Sequence, residues 1–425
     1  MTDELARMRE RLAIRVVADN RIGSERVAAA LYAVPRHLFL PEQRPEVAYQ
    51  NDAIVTKRDE TGQPISSSSQ PTIMAIMLDQ LDLAPGQRVL EIGAGTGYNA
   101  ALISHVVGPS GQVTSVDIDP ELVGRAREHL VRAGFGDVTV ACADGAGGYP
   151  ERAPYDRVIA TVGVSDLAPA WLEQAVPQAR IVVPLDVRGT QLSVAFEPAD
   201  PADPGGPWTS RSLAPCGFMR MRGSLAGPER VVALAPGLSL LLPDGTPRDP
   251  DLDGPDIHGP ALAALLAGPS VPHPTGVRVT RPGTAQVFWG LGLWLAAHEP
   301  RSCRLGEEQR TGAAGGWLTG APLRGPGWHS TLGLLDADGL AILASPAEPG
   351  RSGLAALDAA GFGPGAARLA ADLAAHVQAW GQAGQPGITG LHVDAYPRSS
   401  ADDPGPIADA LIMERPAMRF ALYHD

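Results

Sequence analysis

The length, composition and charge of the chain set the first limits on its fold and partners. It has 425 residues, 44% hydrophobic and 19% charged, and domains usually contain about 100–200 residues, so two globular domains are expected. The net charge of −13 disfavours nucleic acid as a partner, because an acidic surface repels phosphate groups.

Cysteine spacing, the N-terminal segment and hydropathy indicate whether disulfides, a metal site, a signal peptide or a membrane span should be expected. Cys142, Cys216 and Cys303 are widely separated, and neither they nor the scattered histidines have metal-ligand spacing, so no disulfide framework and no metal site are expected. The polar segment from Met1 to Arg11 is unlike a signal peptide. The apolar stretch from Val287 to Ala297 is too short to span a membrane and predicts a buried helix. These features predict a soluble cytoplasmic protein without a membrane partner.

The first half of the chain predicts helices and then an alternation of strands and helices. A short helix from Arg26 to Val34 should end at Pro35, a glycine- and serine-rich loop is expected from Thr61 to Ser69, and Pro71 suits the first turn of a further helix. Short strands that are apolar on both faces follow at Arg88–Ile92, Val113–Asp117, Val138–Ala141, Asp156–Thr161 and Arg180–Leu185, with helices at Tyr98–Val107 and Pro120–Ala133. This alternation is typical of a doubly wound α/β sheet of parallel strands.

The second half loses this rhythm. A hairpin pair is predicted at Gln191–Phe196 and Cys216–Met221, followed by a linker from Gly223 to Glu229. Further strands are predicted at Val231–Ala235, Val277–Thr280, Leu332–Leu335 and Leu340–Ala344, and the spacing of Leu369, Leu373, Val377 and Trp380 indicates a helix. The sequence therefore predicts an α/β domain over residues 1–223 and an α+β accessory domain over residues 230–425.

A glycine-rich turn is the strongest chemical signal. Glu91 lies near the end of a predicted strand, and Gly93, Gly95 and Gly97 alternate before a helix, which allows a tight turn and the close approach of a ligand. The dinucleotide fingerprint G-x-G-x-x-G is not matched, because Tyr98 occupies the position of its third glycine. The pattern E-x-G-x-G-x-G resembles the cofactor loop of Class I methyltransferases, which bind S-adenosylmethionine; an ordinary strand-to-helix turn is the alternative.

Two acidic residues follow the next two predicted strands. Asp117 ends its strand at the position where an α/β nucleotide site places the carboxylate that accepts the ribose hydroxyls. Asp144 follows the third strand, where an acid in Class I methyltransferases faces the adenine amino group. Either acid alone would fit a solvated loop, whereas three features after three successive strands predict a cofactor site. The site is assigned to Glu91, Gly93, Gly95, Thr96, Gly97, Asp117, Ile118, Asp144 and Gly145.

Residues from about 22 to 222 resemble protein-L-isoaspartate O-methyltransferases. The shared motifs are Arg26-Val27 through Val34-Pro35-Arg36-His37-Leu38-Phe39-Leu40-Pro41-Glu42, Ala48-Tyr49-Gln50-Asn51-Asp52, Ser69-Gln70-Pro71, and Asp144-Gly145 with Gly148 to Asp156. The resemblance implies a Class I methyltransferase fold, S-adenosylmethionine as cofactor and a peptide carboxylate as acceptor. It makes Ser69 the active-site residue and places Ser66, Ser67 and Ser68 at the cofactor. Without it, the serine run would be interpreted as a flexible loop.

A serine hydroxyl suits this chemistry. The acceptor carboxylate is ionised at neutral pH and needs no strong base, so the enzyme mainly has to align one of its oxygens with the methyl carbon. A hydroxyl that donates to one oxygen orients the other. The sequence departs from the family pattern at Thr72, at Gln178 to Pro184 and in the long polar loop from Asn51 to Ser69. These departures lie near the expected peptide groove and bear on the substrate more than on the chemistry.

The additional length resembles a branch labelled "methyltransferase, FxLD system", which is associated with ribosomally made, modified peptides such as lanthipeptides and graspetides. This resemblance implies esterification of an Asp in a macrocyclised peptide, after which the next backbone amide attacks the ester to give an aspartimide or, on hydrolysis, isoaspartate. The aromatic residues Phe288, Trp289 and Trp294 are expected in a core, and the accessory domain is expected to recognise substrate. Isoaspartyl repair and a non-catalytic module that binds modified peptides are the alternatives.

Overall fold

The protein forms two compact units. The computed structural model describes residues 2–20, 22–60, 62, 64–203, 205–227, 230–243, 259–280, 286–308, 323–325, 328–344, 354–398 and 410–424. The first unit comprises Met1–Asp186, Gln191–Gly227 and His392–Asp425, and the second comprises Val187–Thr190 and Pro228–Leu391. The sequence assigned all of residues 230–425 to one accessory domain. The structure differs at the C-terminus, because the strands that follow Leu391 join the sheet of the first unit.

Ten α-helices are formed by the described residues. They are α1 (Thr2–Asn20), α2 (Glu25–Ala33), α3 (Pro45–Ala48), α4 (Pro71–Leu81), α5 (Tyr98–Val107), α6 (Pro120–Ala133), α7 (Pro169–Glu173), α8 (Gly259–Ala267), α9 (Gly292–His298) and α10 (Ala366–Gln382). A π-helical turn, Gln286–Leu291, precedes α9. Within the described part of the chain, no helix is long and apolar enough to cross a membrane.

The strands are distributed over both units. They are β1 (Ile54–Arg58), β2 (Pro64–Ser68), β3 (Arg88–Ile92), β4 (Gln112–Asp117), β5 (Thr139–Cys142), β6 (Tyr155–Ala160), β7 (Ala175–Val187), β8 (Thr190–Pro198), β9 (Trp208–Pro215), β10 (Arg230–Ala235), β11 (Leu238–Leu242), β12 (Val271–His273), β13 (Arg278–Thr280), β14 (Ser302–Glu308), β15 (Leu323–Gly325), β16 (Trp328–Asp336), β17 (Gly339–Ala344), β18 (Leu354–Ala356), β19 (Asp358–Phe362), β20 (Leu391–Pro397), β21 (Leu411–Glu414) and β22 (Met418–His424).

The first unit is built on one sheet of ten strands in the order β21-β22-β20-β9-β8-β7-β6-β3-β4-β5. Strands β3 to β7 pair in parallel, and the chain runs outward from β3 through β4 to β5 before β6 returns to the other side of β3. The predicted doubly wound α/β sheet is confirmed. The strand order reverses at β3, and ligands in such sheets bind at the carboxyl ends of the strands beside this reversal.

Local sequence explains the helices around the switch point. Helix α6 begins where the Asp119 carboxylate accepts from the backbone N–H groups of Glu121 and Leu122, and Pro120 occupies its first turn. It ends at Gly134, which adopts the left-handed conformation. Helix α5 is buried along most of its length, including Leu102 and Ile103, because it lies between the sheet and α2.

Two local predictions in the first unit are wrong. Residues Cys216–Met221 do not form the second strand of the hairpin; the strand is β9, which pairs with β8 in antiparallel fashion from Trp208 to Pro215. Within this segment only Cys216 and Met221 are buried, and Gly163, which follows β6, pairs with it through an isolated bridge at Arg220. The serine-rich stretch is also more regular than a loop, since β2 pairs with β1 in a two-stranded hairpin.

The C-terminal strands extend the first unit's sheet at the β9 edge. Strand β20 pairs antiparallel to β9, and the Val393 N–H donates to the Ser210 hydroxyl at 2.8 Å. The β21–β22 hairpin is fixed through its turn, where the Ala417 N–H donates to the buried carboxylate of Asp166 at 2.7 Å. The sequence does not predict this hydrogen bond, because its two residues are 251 positions apart.

The second unit is an antiparallel sheet with helices on its faces. Its strand order is β10-β11-β14-β16-β17-β19-β12, with β15 beside β16 and β13 paired with β18. The alternation of side chains along β16 and β17 explains two cores: Leu334 and Leu343 pack with α10, while Leu335 and Ile342 face α8. Phe288 lies in the first core, and its neighbouring tryptophans pack partly buried against that core.

Candidate cofactor and acceptor site

The turn after β3 adopts a conformation that only glycine accommodates easily. Gly93 has φ = +101°, and a Cβ atom there would lie 2.8 Å from the Thr161 hydroxyl oxygen. This hydroxyl donates to the Gly93 carbonyl at 2.8 Å, so β6 holds the turn in place. Gly97 (φ = +85°) begins α5 in the left-handed conformation. Glycine at these two positions therefore allows the tight turn and its close packing against Thr161.

A cavity opens over the turn and brings most of the predicted residues together. Its wall includes Ser66, Ser67, Ser68, Ser69, Gly93, Gly95, Thr96, Asp117, Ile118 and Gly145. Three predicted residues lie outside this wall: Glu91 is buried beneath the turn, Gly97 packs under α6, and Asp144 is turned toward another loop. The cavity thus joins the carboxyl ends of β3, β4 and β5 with the serine strand β2.

Asp117 is placed as an α/β nucleotide site requires. Its carboxylate ends β4, lines the cavity, and accepts from the N–H groups of Gly95 and Asp119, each at 3.1 Å. These contacts fix the carboxylate against the glycine turn and leave further lone pairs for ribose hydroxyls.

Asp144 accepts hydrogen bonds from two backbone N–H groups beside the cavity. Its two oxygens accept from the N–H groups of Ala146 at 3.0 Å and Ser224 at 2.9 Å. Burial alone would raise the pKa of Asp144, but these N–H donors lower it below its ordinary value. In this arrangement Asp144 anchors the loop around Ser224, and the neighbouring Gly145 lines the cavity.

Glu91 forms a buried polar network behind the cavity. It has no solvent exposure, and its two oxygens accept from the Asn99 amide nitrogen at 2.8 Å and from the Ser115 hydroxyl. Burial raises the pKa of Glu91 to about 7, opposed by these hydrogen bonds. Because both oxygens are engaged by protein groups, Glu91 supports the cavity wall and does not itself line it.

The serine strand lies across the glycine turn. The Ser67 carbonyl oxygen is 3.7 Å from the position of a Cβ on Gly95, and the Thr56 hydroxyl donates to the Ser66 hydroxyl at 3.1 Å. The hairpin is tied to the start of α6 by Lys57, whose ammonium group lies 2.8 Å from Asp119 and 2.7 Å from Glu121. Lys57 is therefore committed to ion pairs. Arg220 and Arg222 line the cavity; Arg222 also lies 3.6 Å from Asp119, and Arg220 donates to the Gly227 carbonyl.

A buried arginine holds the serine loop and was missed by sequence reasoning. Arg36 is fully buried and donates to the carbonyl oxygens of Ala48 (3.1 Å), Gln50 (2.9 Å), Asp52 (3.2 Å) and Ser69 (3.0 Å), with a longer contact to the Ser68 hydroxyl (3.4 Å). Its guanidinium carbon also lies 5.8 Å from the centre of the Tyr98 ring. The only sequence signal was its place in a family motif.

The segment after β9 closes another side of the cavity. Phe218, Met219, Arg220, Met221 and Arg222 all contribute to the wall. Its backbone is held by Gly163, whose N–H donates to the Met219 carbonyl at 2.7 Å and whose carbonyl accepts from Met221 at 2.8 Å. Sequence reasoning placed a strand here, and its role in the cavity depends on a contact between distant parts of the chain.

The fold and the cavity together define the class of protein. A parallel sheet that reverses at β3, with a glycine turn and an acid at the end of β4, is an α/β enzyme of the Class I methyltransferase type that uses S-adenosylmethionine. One observation fits this cofactor: a Cβ atom on Gly95, which lines the cavity, would meet nothing nearer than the Ser67 carbonyl oxygen at 3.7 Å, so the backbone there is open to close approach.

The chain belongs to the protein-L-isoaspartate O-methyltransferase family. The family model described as protein-L-isoaspartate(D-aspartate) O-methyltransferase matches residues 8–202. A protein-L-isoaspartate O-methyltransferase of Hyperthermus butylicus is 39% identical over 224 residues, which cover 51% of this chain and 88% of the relative. Another, of Methanopyrus kandleri, is 42% identical over 186 residues, covering 44% and 80%. The chain is accordingly an S-adenosylmethionine-dependent carboxyl O-methyltransferase.

Solved structures of proteins with the same name also align with the chain. One protein-L-isoaspartate O-methyltransferase covers 91% of this chain and 96% of its own length, with 22% identity and a TM-score of 0.49. A putative protein-L-isoaspartate O-methyltransferase from Plasmodium falciparum, in complex with S-adenosyl-L-homocysteine, covers 49% of this chain and 96% of its own, with 15% identity and a TM-score of 0.42.

Proposed function

We propose that this carboxyl methyltransferase esterifies the side-chain carboxylate of an Asp residue in a macrocyclised, ribosomally made peptide. The observation that carries the acceptor assignment is the meeting of Ser69 with the glycine turn and Asp117 in one cavity. When bound there, S-adenosylmethionine supplies the activated methyl group. A peptide carboxylate oxygen would attack the methyl carbon, forming the C–O bond as the S–C bond breaks, so the products are a methyl ester and S-adenosylhomocysteine.

The cofactor is held by residues of the glycine turn and of the strand ends. Gly93, Gly95 and Thr96 bring backbone against it, and Asp117 accepts from its ribose hydroxyls. Ile118 and Gly145 lie at the end where the adenine ring fits. Glu91, Gly97 and Asp144 act behind this wall: Glu91 through Asn99, Gly97 by starting α5, and Asp144 by fixing the loop at Ser224.

Ser69 orients the acceptor, and its neighbours shape the cavity. The Ser69 carbonyl accepts from Arg36 at 3.0 Å, so the backbone is fixed and the hydroxyl can present its proton to one carboxylate oxygen. That contact directs the second oxygen toward the methyl carbon, and alignment of this kind lowers the barrier without a general base. Ser66, Ser67 and Ser68 line the same wall along β2.

The proposal of a constrained peptide rests on the length of the chain. The family model matches residues 8–202, so the segment Pro228–Leu391 of the second unit and strands β20–β22 lie outside the matched region. A macrocycle has already lost much of its conformational freedom and binds a preformed surface with a smaller entropy loss than a linear chain. Methylation then makes the carbonyl susceptible to the next backbone amide, which gives an aspartimide that persists or hydrolyses to isoaspartate.

Repair of isoaspartyl residues in damaged proteins is the second candidate. It is favoured by the names of the relatives, which are protein-L-isoaspartate O-methyltransferases. The two candidates share the cofactor and the acceptor serine and differ only in the peptide that brings the carboxylate.

The role of Ser69 is tested by Ser69→Ala. The variant should keep its affinity for S-adenosylhomocysteine and lose most of its turnover, because the hydroxyl acts on the acceptor. The matched control is Ser110→Ala, in an exposed turn away from the cavity, which should retain wild-type kinetics. Wild-type turnover by Ser69→Ala would exclude the acceptor role.

The substrate is tested by comparing three peptides with the full-length enzyme. A cyclised Asp-containing precursor peptide, its linear form and an isoaspartyl peptide are incubated with S-adenosylmethionine, and the ester is followed by mass spectrometry. A kcat/KM at least tenfold higher for the cyclised peptide supports the proposal. Equal rates for the linear form, or the highest rate for isoaspartate, would establish the repair candidate instead.

A further inference from the structure

One wall of the cavity lies outside the part of the chain that matches the family. Residues 218–222 line the cavity, whereas the family model matches residues 8–202. Two residues of this wall segment, Arg220 and Arg222, are cationic, and among the residues that the structure describes the one other charged group in the wall is Asp117. A peptide that enters the cavity therefore meets cationic side chains that the family match does not cover.

The two arginines differ in how far their donors are engaged. Arg220 donates to the Gly227 carbonyl. The guanidinium of Arg222 lies 3.6 Å from Asp119 Oδ2, which is beyond hydrogen-bond distance, and no hydrogen bond joins it to another described residue. Asp119 is itself engaged, because its oxygens accept from the Lys57 ammonium group at 2.8 and 3.0 Å. Since a guanidinium has five N–H donors, Arg222 retains donors for a ligand.

The backbone on both sides of Arg222 is fixed, while its side chain is open to solvent. Before it, the Met221 N–H donates to the Gly163 carbonyl at 2.8 Å, and after it the Ser224 N–H donates to Asp144 at 2.9 Å. The side chain of Arg222 is 40% exposed. A ligand in the cavity can thus reach a guanidinium whose backbone is already positioned, and a preorganised group binds with a smaller loss of entropy.

The chemistry of the reaction indicates which group Arg222 binds. An ion pair with the attacking oxygen would make the acceptor carboxylate a poorer nucleophile, and the orientation of that carboxylate is assigned to Ser69. A second carboxylate in the peptide can form the ion pair without this cost. Guanidinium groups pair with carboxylates through two parallel hydrogen bonds, so arginine suits this contact. The net charge of −13 would repel an acidic peptide, and a local cation offsets this repulsion.

We propose that Arg222 binds a second carboxylate of the peptide substrate, beside the Asp residue that is esterified. This inference rests on the proposed function and deepens it, because it makes the preferred substrate a peptide with an acidic side chain next to the acceptor. Arg222 is then a residue that determines specificity and takes no part in methyl transfer.

Two cyclic peptides that differ only in Glu or Gln beside the acceptor Asp test this contact. The wild type should show a kcat/KM at least fivefold higher for the Glu peptide, mainly through KM, because the contact is equally present before and during methyl transfer. Arg222→Met should reduce this preference to less than twofold, and Arg222→Lys should restore part of it, because the charge is kept. The affinity for S-adenosylhomocysteine, measured by calorimetry, should stay within twofold in both variants, which also shows that they are folded.

The control is a second arginine near the same helix. Arg125→Met removes the same charge from α6, where the guanidinium pairs with Glu42 at 2.8 Å outside the cavity wall, and should keep the wild-type preference. Equal kcat/KM values for the two peptides in the wild type, or an unchanged preference in Arg222→Met, would overturn the proposal. A folded Arg222→Met protein that loses affinity for S-adenosylhomocysteine would also overturn it, by assigning the arginine to the cofactor. If Arg222→Met does not fold, Arg222→Gln replaces it in the same comparison.

The same Glu and Gln pair in linear isoaspartyl form separates this inference from the proposed function. If the wild type methylates only the isoaspartyl peptides, the proposed substrate is wrong, but a Glu preference that Arg222→Met abolishes would still support the role of Arg222. If the cyclic peptides are esterified without a preference, the proposed function stands and the role of Arg222 is wrong.

Discussion

Replacing Arg36 by Met should destabilise the first unit and misplace the acceptor serine. The guanidinium makes five hydrogen bonds, four of them to backbone carbonyl oxygens, in a position without solvent exposure. Burial lowers the pKa of Arg36 to about 10, a loss that nearby Tyr98 and Asp52 partly offset, so the group stays charged at neutral pH. The loops at Ala48–Asp52 and Ser69 are therefore joined through one buried cation.

The size of the effect follows from the acceptors left behind. A buried acceptor that loses its partner costs about 1–3 kcal/mol, and removing one partner from a buried charged network typically costs about 3–5 kcal/mol. The Met variant no longer has to desolvate a guanidinium, and this gain offsets part of the cost of leaving four carbonyl oxygens unpaired. The free energy of unfolding should therefore fall by about 4 kcal/mol. For a unit of this size that lowers Tm by roughly 8–16 °C. Arg36→Lys should be intermediate, because one ammonium group cannot reach all the carbonyls.

Thermal unfolding, S-adenosylhomocysteine binding and turnover, measured together, check this reasoning. Because Arg36 contacts the Ser69 carbonyl and the Ser68 hydroxyl, kcat should fall by a larger factor than the ligand affinity. The control is Arg127→Met, whose guanidinium binds only the Val140 carbonyl at the surface and should cost less than about 1 kcal/mol. An Arg36→Met protein that unfolds and turns over like the wild type would refute the positioning role.

Three further outcomes are expected. Asp117→Ala should weaken S-adenosylhomocysteine at least tenfold in calorimetry, about 1.4 kcal/mol, and an unchanged affinity would exclude the ribose contact. Because burial raises the pKa of Glu91 from 4.5 to about 7, the native state binds this proton more tightly than the unfolded chain does. The stability that protonated Glu91 contributes is thus present in full below pH 4.5 and declines by up to about 3 kcal/mol as the pH rises through about 7. Gln cannot ionise, so the Tm of Glu91→Gln relative to wild type should rise over this interval. A Tm difference that stays constant with pH would contradict the raised pKa of Glu91. Asp166→Ala removes the oxygen that accepts from the Ala417 N–H, so hydrogen exchange across the β21–β22 turn should accelerate, and unchanged protection would show that the hairpin is held by other contacts.

Local sequence determined the elements around the switch point. The strand Arg88–Ile92 and the helices Tyr98–Val107 and Pro120–Ala133 were predicted with the bounds that the structure has. Buried parallel strands are short and apolar, and their boundaries are marked by glycine, proline and capping acids, all of which are local signals. The family resemblance added the serines of β2, which composition alone would have assigned to a flexible loop.

Other features were decided by contacts between distant positions. The pattern of Cys216–Met221 suggested a strand, yet these residues form part of the cavity wall because Gly163 pairs with them. Similarly, the hydrogen bond from the Ser224 N–H to the Asp144 carboxylate joins positions 80 residues apart, and no local pattern predicts it. A sequence motif gives the position of a side chain along the chain, but it does not determine which group the side chain contacts in the folded protein.

The sequence by itself determined the α/β class, the methyltransferase family and ten of the residues that line the cavity. Only the tertiary structure decided that Arg36 ties Ala48, Gln50 and Ser69 together, that Glu91 pairs with Asn99 and Ser115 behind the cavity, and that the C-terminal strands return to the first unit's sheet. The physical reason is that helix caps and strand periodicity act over a few residues, whereas a buried hydrogen bond or a strand pairing depends on which groups the folded chain brings into contact.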